Sequence, residues 1–358
     1  MTSSGLIYQY ALFAMSLLYV VIVFRFISSA GRLPGRRWIT MALAMWPLLV
    51  VDEWLKLFAL EGVSPVLGLF DVMPALLLTF SYKATGMLVH QAPSSSARQW
   101  LPAGVCLLAQ SAMIFLPSDT KIQWFSQSPV GQPLALWPAY LAPLATGFAV
   151  LLFGILIAEC VQRYHHYLPE QVADTATFRI KKLGGVAGMT VGLAFASILL
   201  VSAAAFGFLQ ITFWQSLYHL LMALVCLFML AVLIMPQRTS PCPVDYQRLE
   251  ACAESQAEMR NALAKAEQAV IHTKAYKHKG QTLCAFCRDN ELDPTLLAIT
   301  LKLSKYKSFR GFIYHYRLEY AKKVLLRSDA SIARVARRLG LDSEKFLSGV
   351  LPNYLSKL

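Results

Sequence analysis

The sequence predicts an all-α protein in two parts: a polytopic bundle of seven membrane-spanning helices, then a cytoplasmic domain of short helices. Three observations predict it. Of 358 residues, 56% are hydrophobic and only 15% charged, with a mean hydropathy of +0.49, whereas soluble domains carry about 25% charge. The hydrophobic residues gather into seven runs of spanning length, with no strand alternation. The formal charge of +13 is unevenly placed: residues 1–238 hold 13 Lys and Arg against 8 Asp and Glu, and residues 239–358 hold 20 against 12. This composition excludes disordered, collagenous and small disulfide-scaffold proteins, and seven cysteines is ordinary for the length.

A bilayer core about 30 Å thick takes about 20 apolar residues as helix. The runs are Leu6–Ile27, Trp38–Phe58, Ser64–Val89, Trp100–Pro117, Leu134–Ile157, Leu183–Leu209 and Ile211–Met235. The first is no cleaved signal, because no Lys or Arg precedes it and Arg25, Arg32, Arg36 and Arg37 follow it. That asymmetry puts the N-terminus outside. Lys83, Arg98, Arg163, Arg179, Lys181 and Lys182 fall on the same side as the first four arginines, and only Lys56 and Lys121 fall opposite. By the positive-inside rule seven crossings then deliver the last third to the cytoplasm. Trp38 and Trp100 stand near inner ends, and Trp54, Trp137 and Trp214 near outer ones.

Charges within apolar runs are costly and usually face protein or water. They are Asp52, Glu53, Lys56, Asp71, Lys83 and Glu159, with His219 beside them. Asp52 and Lys56 are four apart on one helical face, which predicts an intrahelical pair. Asp71 has no local partner and is the better candidate for lining a pocket. Asp52, Asp71, His219 and the aromatics Trp54, Trp137, Tyr140 and Trp214 together make a candidate signal pocket facing outward. His219 is as readily a packed polar side chain, and no second His or Cys stands at metal-ligand spacing from it. Gly184, Gly188, Gly192 and Ala196 form a small-residue stripe suited to close helix packing, within the bundle or between two copies.

Pro236, Pro241 and Pro243 end the last run, and residues 239–280 read as a helical linker. Leu249, Cys252, Gln256, Met259, Leu263, Ala266 and Val270 alternate three and four apart. This is either a short coiled-coil seam for a homodimer or the first helix of the next domain. Residues 281–358 read as short helices: Leu283–Cys287, a turn at Asn290–Asp293, then Pro294–Leu303. A longer helix Phe309–Leu326 follows, then one from Ser331 to Leu339, a turn at Gly340, and Ser343–Leu351. From Gln281 onward there are 14 Lys and Arg against 7 Asp and Glu, the electrostatic footprint of a phosphate binder. Cys284 and Cys287 lack the setting of a redox or zinc motif and read as a buried pair.

The run Ser308-Phe309, Phe312-Ile313, Tyr316-Arg317-Leu318-Glu319, Ala321-Lys322 and Leu325-Leu326 precedes Ser331-Ile332, Val335-Ala336 and Gly340-Leu341. It resembles the DNA-binding domain of the AraC/XylS transcription regulators over about 70 residues. The resemblance implies two helix-turn-helix units on one connecting helix, each placing its second helix in a major groove of double-stranded DNA. It departs at Lys305-Tyr306, where the family commonly has a glycine, and at Pro352, a position usually basic. On that likeness the base-facing candidates are Thr295, Ile299 and Lys302 in the first unit and Ser343, Lys345 and Ser348 in the second. Lys305, Lys307, Arg310, Arg334, Arg337 and Arg338 are the phosphate contacts, which position without specifying.

The function expected is a one-component transcription regulator in a bacterial cytoplasmic membrane, not an enzyme, with an unidentified ligand or partner protein sensed in the bilayer. The alternative is a transporter or scaffold whose C-terminal domain binds a protein. No catalytic constellation, cofactor motif or metal-ligand spacing occurs in the sequence.

Overall fold

The structure is a computed structural model and describes residues 3–29, 33–58, 68–89, 97–240, 256–327 and 332–340. Its regular elements there are helices: α1 (Ser3–Ser28), α2 (Arg36–Phe58), α3 (Met73–Leu88), α4 (Leu101–Ile114), α5 (Ser118–Ser126), α6 (Trp137–Gln171), α7 (Thr175–Phe178), α8 (Lys181–Ala205) and α9 (Trp214–Ile234). After these come α10 (Gln256–His272), α11 (Leu283–Asp289), α12 (Pro294–Leu303), α13 (Phe309–Arg327) and α14 (Ile332–Leu339). Two compact units form, Met1–Gln162 with Lys181–Pro236, and Arg163–Ile180 with Gln237–Leu358. The second exceeds the expected C-terminal domain, because the connection between the fifth and sixth runs belongs to it.

Each expected run holds a helix, but only α1, α2, α6, α8 and α9 are long and apolar enough to cross a bilayer. The expectation of seven full spans therefore narrows to five candidates, or six with one bent pair. In the fourth run the chain turns by 111° between α4 and α5. The cause is local: Pro117 lacks an amide to continue α4, and the polar Ser118-Asp119-Thr120-Lys121 begins the next helix. In the third run α3 has 16 residues, with Pro74 in its first turn, which gives about 24 Å of helix.

Helix α9 is the hub of the first unit and packs on α1, α2, α3 and α8. Two-thirds of its apolar window (67%) is buried against 22% for α1, whose Ile7, Phe13, Leu17, Val20 and Phe24 stand exposed on the face a bilayer would cover. Trp46 anchors α2 to α9, its indole N–H donating 3.0 Å to the Ala223 carbonyl. The close approach of α6 to α8 is made at glycines of α6: a Cβ on Gly147 would stand 2.9 Å from Ile198, and one on Gly154 3.0 Å from Val191. The stripe expected on α8 is not the packed one, since Gly188 and Gly192 have nothing within 4 Å of their Cβ positions.

In the second unit, α10 lays Ala262, Ala266 and Val270 inward, and Met259 and Leu263 pack against the same core. This half of the heptad stripe is thus spent within the chain as the first helix of the C-terminal unit; Leu249 and Cys252 lie outside the described residues. Helix α11 begins at Thr282, whose hydroxyl accepts from the Ala285 N–H at 3.3 Å. Helix α12 begins at Asp293, whose carboxylate accepts from the Thr295 N–H at 2.8 Å, with Pro294 in the first turn. Phe286, Phe309, Phe312 and Tyr306 meet at ring-centroid distances of 5.0–6.2 Å and centre the core with Leu297 and Leu301. Gly311 permits this turn, because a Cβ there would lie 2.2 Å from the Tyr306 carbonyl oxygen. A smaller core joins Ala321 of α13 to Val335, Ala336 and Leu339 of α14. Cys284 is disulfide-bonded while Cys287 keeps a free thiol, so they are not the buried pair expected. Burial, with the Asp293 carboxylate nearby, pushes the Cys287 thiol up to about 12, which leaves it inert.

Overfilling the α6–α8 contact and the open α8 stripe should have opposite consequences. Gly154→Leu is expected to cost about 1–3 kcal/mol through overpacking, read as a lowered thermal midpoint in detergent. Gly192→Leu should leave the midpoint unchanged or slightly raised by helix propensity; the reverse order would place the packed face on the α8 stripe.

Candidate functional site

Two groups of polar residues stand out, one in each unit. In the first unit α2, α3 and α9 converge on a buried chain of charges. His219 Nδ1 is 2.6 Å from Glu53 Oε1, and its Nε2 is 2.8 Å from Asp71 Oδ1. A ring with carboxylate oxygens on both nitrogens satisfies both as imidazolium, donating from each. Glu53 also accepts from the Tyr8 hydroxyl of α1 and from the Lys56 ammonium at 2.9 Å. Lys56 reaches Ser216 of α9 at 3.1 Å. Asp52 turns to the other side, its Oδ2 accepting from the Gly68 N–H at 3.1 Å. Asp52 and Glu53 are each 1% exposed.

The expected Asp52–Lys56 pair is therefore corrected: the carboxylate that holds Lys56 at 2.9 Å is Glu53, three residues away. A four-residue spacing places two side chains on one face, but at this position the intervening acid lies closer to α9. Of the expected pocket residues, Asp71 and His219 belong to one polar chain, and Asp52 stands beside its member Glu53 but turns to Gly68. Trp54 lies in the same helix, against Phe13 and Phe58 at 4.9 and 5.7 Å. Trp214 and Tyr140 make a separate stacked pair, 5.7 Å between centroids, tied down by bonds to the carbonyls of Pro129 and Gly131. Trp137 is an exposed residue at the start of α6. The expected pocket left out Glu53, although it was named among the charges within apolar runs, and Tyr8, which no charge or spacing marked.

In the second unit, residues 172–174 zip onto residues 280–282. Val172 and Thr282 form an antiparallel bridge, the Ala173 N–H donates 3.0 Å to Gln281 O, and Asp174 accepts from the Gly280 N–H. Asp174 then meets Arg317 of α13 in a two-pronged pair at 2.6 and 3.1 Å. Arg317 has a fully buried side chain and gives its remaining bonds to the carbonyls of Tyr276, 3.0 Å, and His278, 2.9 Å. Such a pair is strong because four of the five guanidinium N–H donors find acceptors.

The basic residues expected to touch DNA divide. Thr295 is half-buried at the start of α12, and Lys302, Lys305 and Lys307 are exposed at its end and in the turn after it. Ile299 is corrected: it is 3% exposed and part of the core, since the positions around it on α12 (Leu297, Ala298, Thr300 and Leu301) are also inward. Lys302 lies 3.9 Å from Glu170 and over the ring of Tyr167. Arg310 donates to the Thr175 hydroxyl at 3.2 Å. Arg334, Arg337 and Arg338 are exposed on α14. Ser343, Lys345 and Ser348 lie outside the described residues.

Asp174→Ala should strand the Arg317 guanidinium and cost about 3–5 kcal/mol, measured by denaturant unfolding of the full chain in detergent. The double variant Asp174→Ala with Arg317→Met should recover part of that loss; equal loss in both would remove the pair as the cause.

No family model matches the chain, and no curated protein or solved structure matches it either.

Proposed function

We propose that the chain is a membrane-embedded one-component transcription regulator that binds double-stranded DNA through its second unit under the control of the first. The observation that carries the reading is the incorporation of Arg163–Ile180, the connection between two candidate spans, into the basic unit that the DNA would meet. Its Glu170 and Thr175 engage Lys302 and Arg310, two residues offered for DNA. The short capped helices α11 and α12, with Lys302, Lys305 and Lys307 exposed beyond them, fit a helix-turn-helix with a phosphate-binding shoulder. On this reading α14 begins the second helix-turn-helix, with Arg334, Arg337 and Arg338 on its outer side.

Seven crossings remain part of the proposal: α3 and the bent α4–α5 pair each complete a passage, and the loop charges set the N-terminus outside. The buried charges of the first unit also favour a second reading, a transporter with a regulatory tail, since intramembrane charges line solute paths. Solute flux through proteoliposomes of the full chain, abolished by Asp71→Asn, would support it.

The full chain in lipid nanodiscs should bind a duplex from its own promoter in preference to a scrambled one, with affinity falling steeply as salt rises. Lys307→Ala should weaken binding to both duplexes and reduce the salt slope by about one. Glu170→Gln should tighten binding by releasing Lys302. Absence of sequence preference in a folded preparation overturns the reading.

A further inference from the structure

The helix offered to DNA has no open face along its middle. Leu297, Ala298, Ile299, Thr300 and Leu301 of α12 are 0–4% exposed, and five consecutive helical residues sweep more than a full turn. Helices α10, α11 and α13 pack on α12. A helix that enters a major groove presents an open face to it. Here the face shared by Thr295, Ile299 and Lys302, spaced four and three apart, is closed at Ile299 and occupied at Lys302.

The occupant is the connection Arg163–Ile180, which belongs to the same compact unit. Glu170 stands 3.9 Å from the Lys302 ammonium, which lies 6.0 Å from the centre of the Tyr167 ring. Ala173 is fully buried in the core that holds Leu297, Ala298, Ile299 and Leu301. Leu168 and Val172 are buried as well, so the end of α6 is packed and does not run free into solvent. Beyond it Thr175 accepts from Arg310 at 3.2 Å. An acid and an aromatic ring set against a lysine take up the ammonium that a phosphate would otherwise meet. The side chain of Lys302 is 38% exposed and that of Glu170 15%, so the pair is weak enough to be exchanged for another partner.

Resting on the regulator reading, we propose that residues 167–175 form an autoinhibitory cover on α12, which in this structure is closed to DNA. Opening does not require the whole connection to leave. Tyr167 and Glu170 precede the residues 172–174 that are zipped to 280–282, so the end of α6 can release Lys302 while Asp174 keeps Arg317. A duplex competes with the cover, and its apparent affinity falls by the fraction of chains that are open.

The test uses the full chain in nanodiscs. In the unsubstituted protein a zero-length carbodiimide should couple Glu170 to Lys302, and a saturating promoter duplex should suppress that coupling. Without DNA, Ala298→Cys should react with a maleimide about tenfold more slowly than Leu303→Cys, whose site is 72% exposed. Adding Tyr167→Ala with Glu170→Lys should erase most of that protection, and the same pair alone should tighten duplex binding by about fivefold. No coupling without DNA, undiminished coupling with duplex bound, or protection of Ala298→Cys that survives the releasing pair overturns the cover. If the releasing pair does not fold, the carbodiimide result on the wild type decides. Loss of protection in the releasing pair, with no duplex bound by any variant, sinks the regulator reading and leaves the cover in place.

Discussion

The second unit depends on one buried charge. A guanidinium removed from water loses hydration that protein acceptors must replace, and Arg317 makes four hydrogen bonds, two to Asp174 and one each to the carbonyls of Tyr276 and His278. Two of those acceptors belong to the turn between α10 and α11, and the carboxylate comes from a connection 143 residues earlier. The same carboxylate receives the Gly280 N–H. One aspartate thus fixes the turn, the long helix α13 and the connection together. A C-terminal fragment lacking Arg163–Ile180 would lack the counter-charge that Arg317 meets in the full chain.

A comparable constraint organises the first unit. The most buried of the candidate spans is also the one that carries His219, Ser216 and Gln215. Apolar side chains on α1 can face lipid without cost, but a bundle in hydrocarbon gains little from burying them, and specific polar contacts and close packing decide which helices meet. Here the Glu53–His219–Asp71 chain joins α2 and the start of α3 to α9, while Gly147 and Gly154 let α6 approach α8.

Much of this was legible in the sequence, and the failures share a cause. The starts of α11 and α12 were readable because Thr282 and Asp293 cap amides within three residues of themselves, and Pro294 suits a first turn; the end of α11, two residues beyond the expected Cys287, was not. The inward stripe Val335, Ala336 and Leu339 was readable from its period. What periodicity could not supply was the choice between neighbours: whether Asp52 or Glu53 holds Lys56, or whether Ile299 belongs to the inner or the outer side of a ten-residue helix. The first choice is made by His219, 166 positions away, and the second by the helices that α12 packs against. Asp174 was hidden because nothing local marks it, its partner Arg317 lying 143 residues away. The bend after Ile114 carries local marks, Pro117 and the polar Ser118-Asp119-Thr120-Lys121, but its angle is not written in them.

Under the proposed function, the two constraints define how a signal could travel. Helix α6 is continuous over 35 residues, about 52 Å, from Trp137 to within three positions of Asp174. The segment carrying Asp174 is therefore held at both ends by helices that themselves pack together at Gly147 and Gly154. A ligand in the first unit can alter DNA binding only through a difference in its affinity for two arrangements of these helices. Within the second unit, the connection is zipped to residues 280–282 and paired with Arg317, so pulling it away strands a buried charge, which costs several kcal/mol.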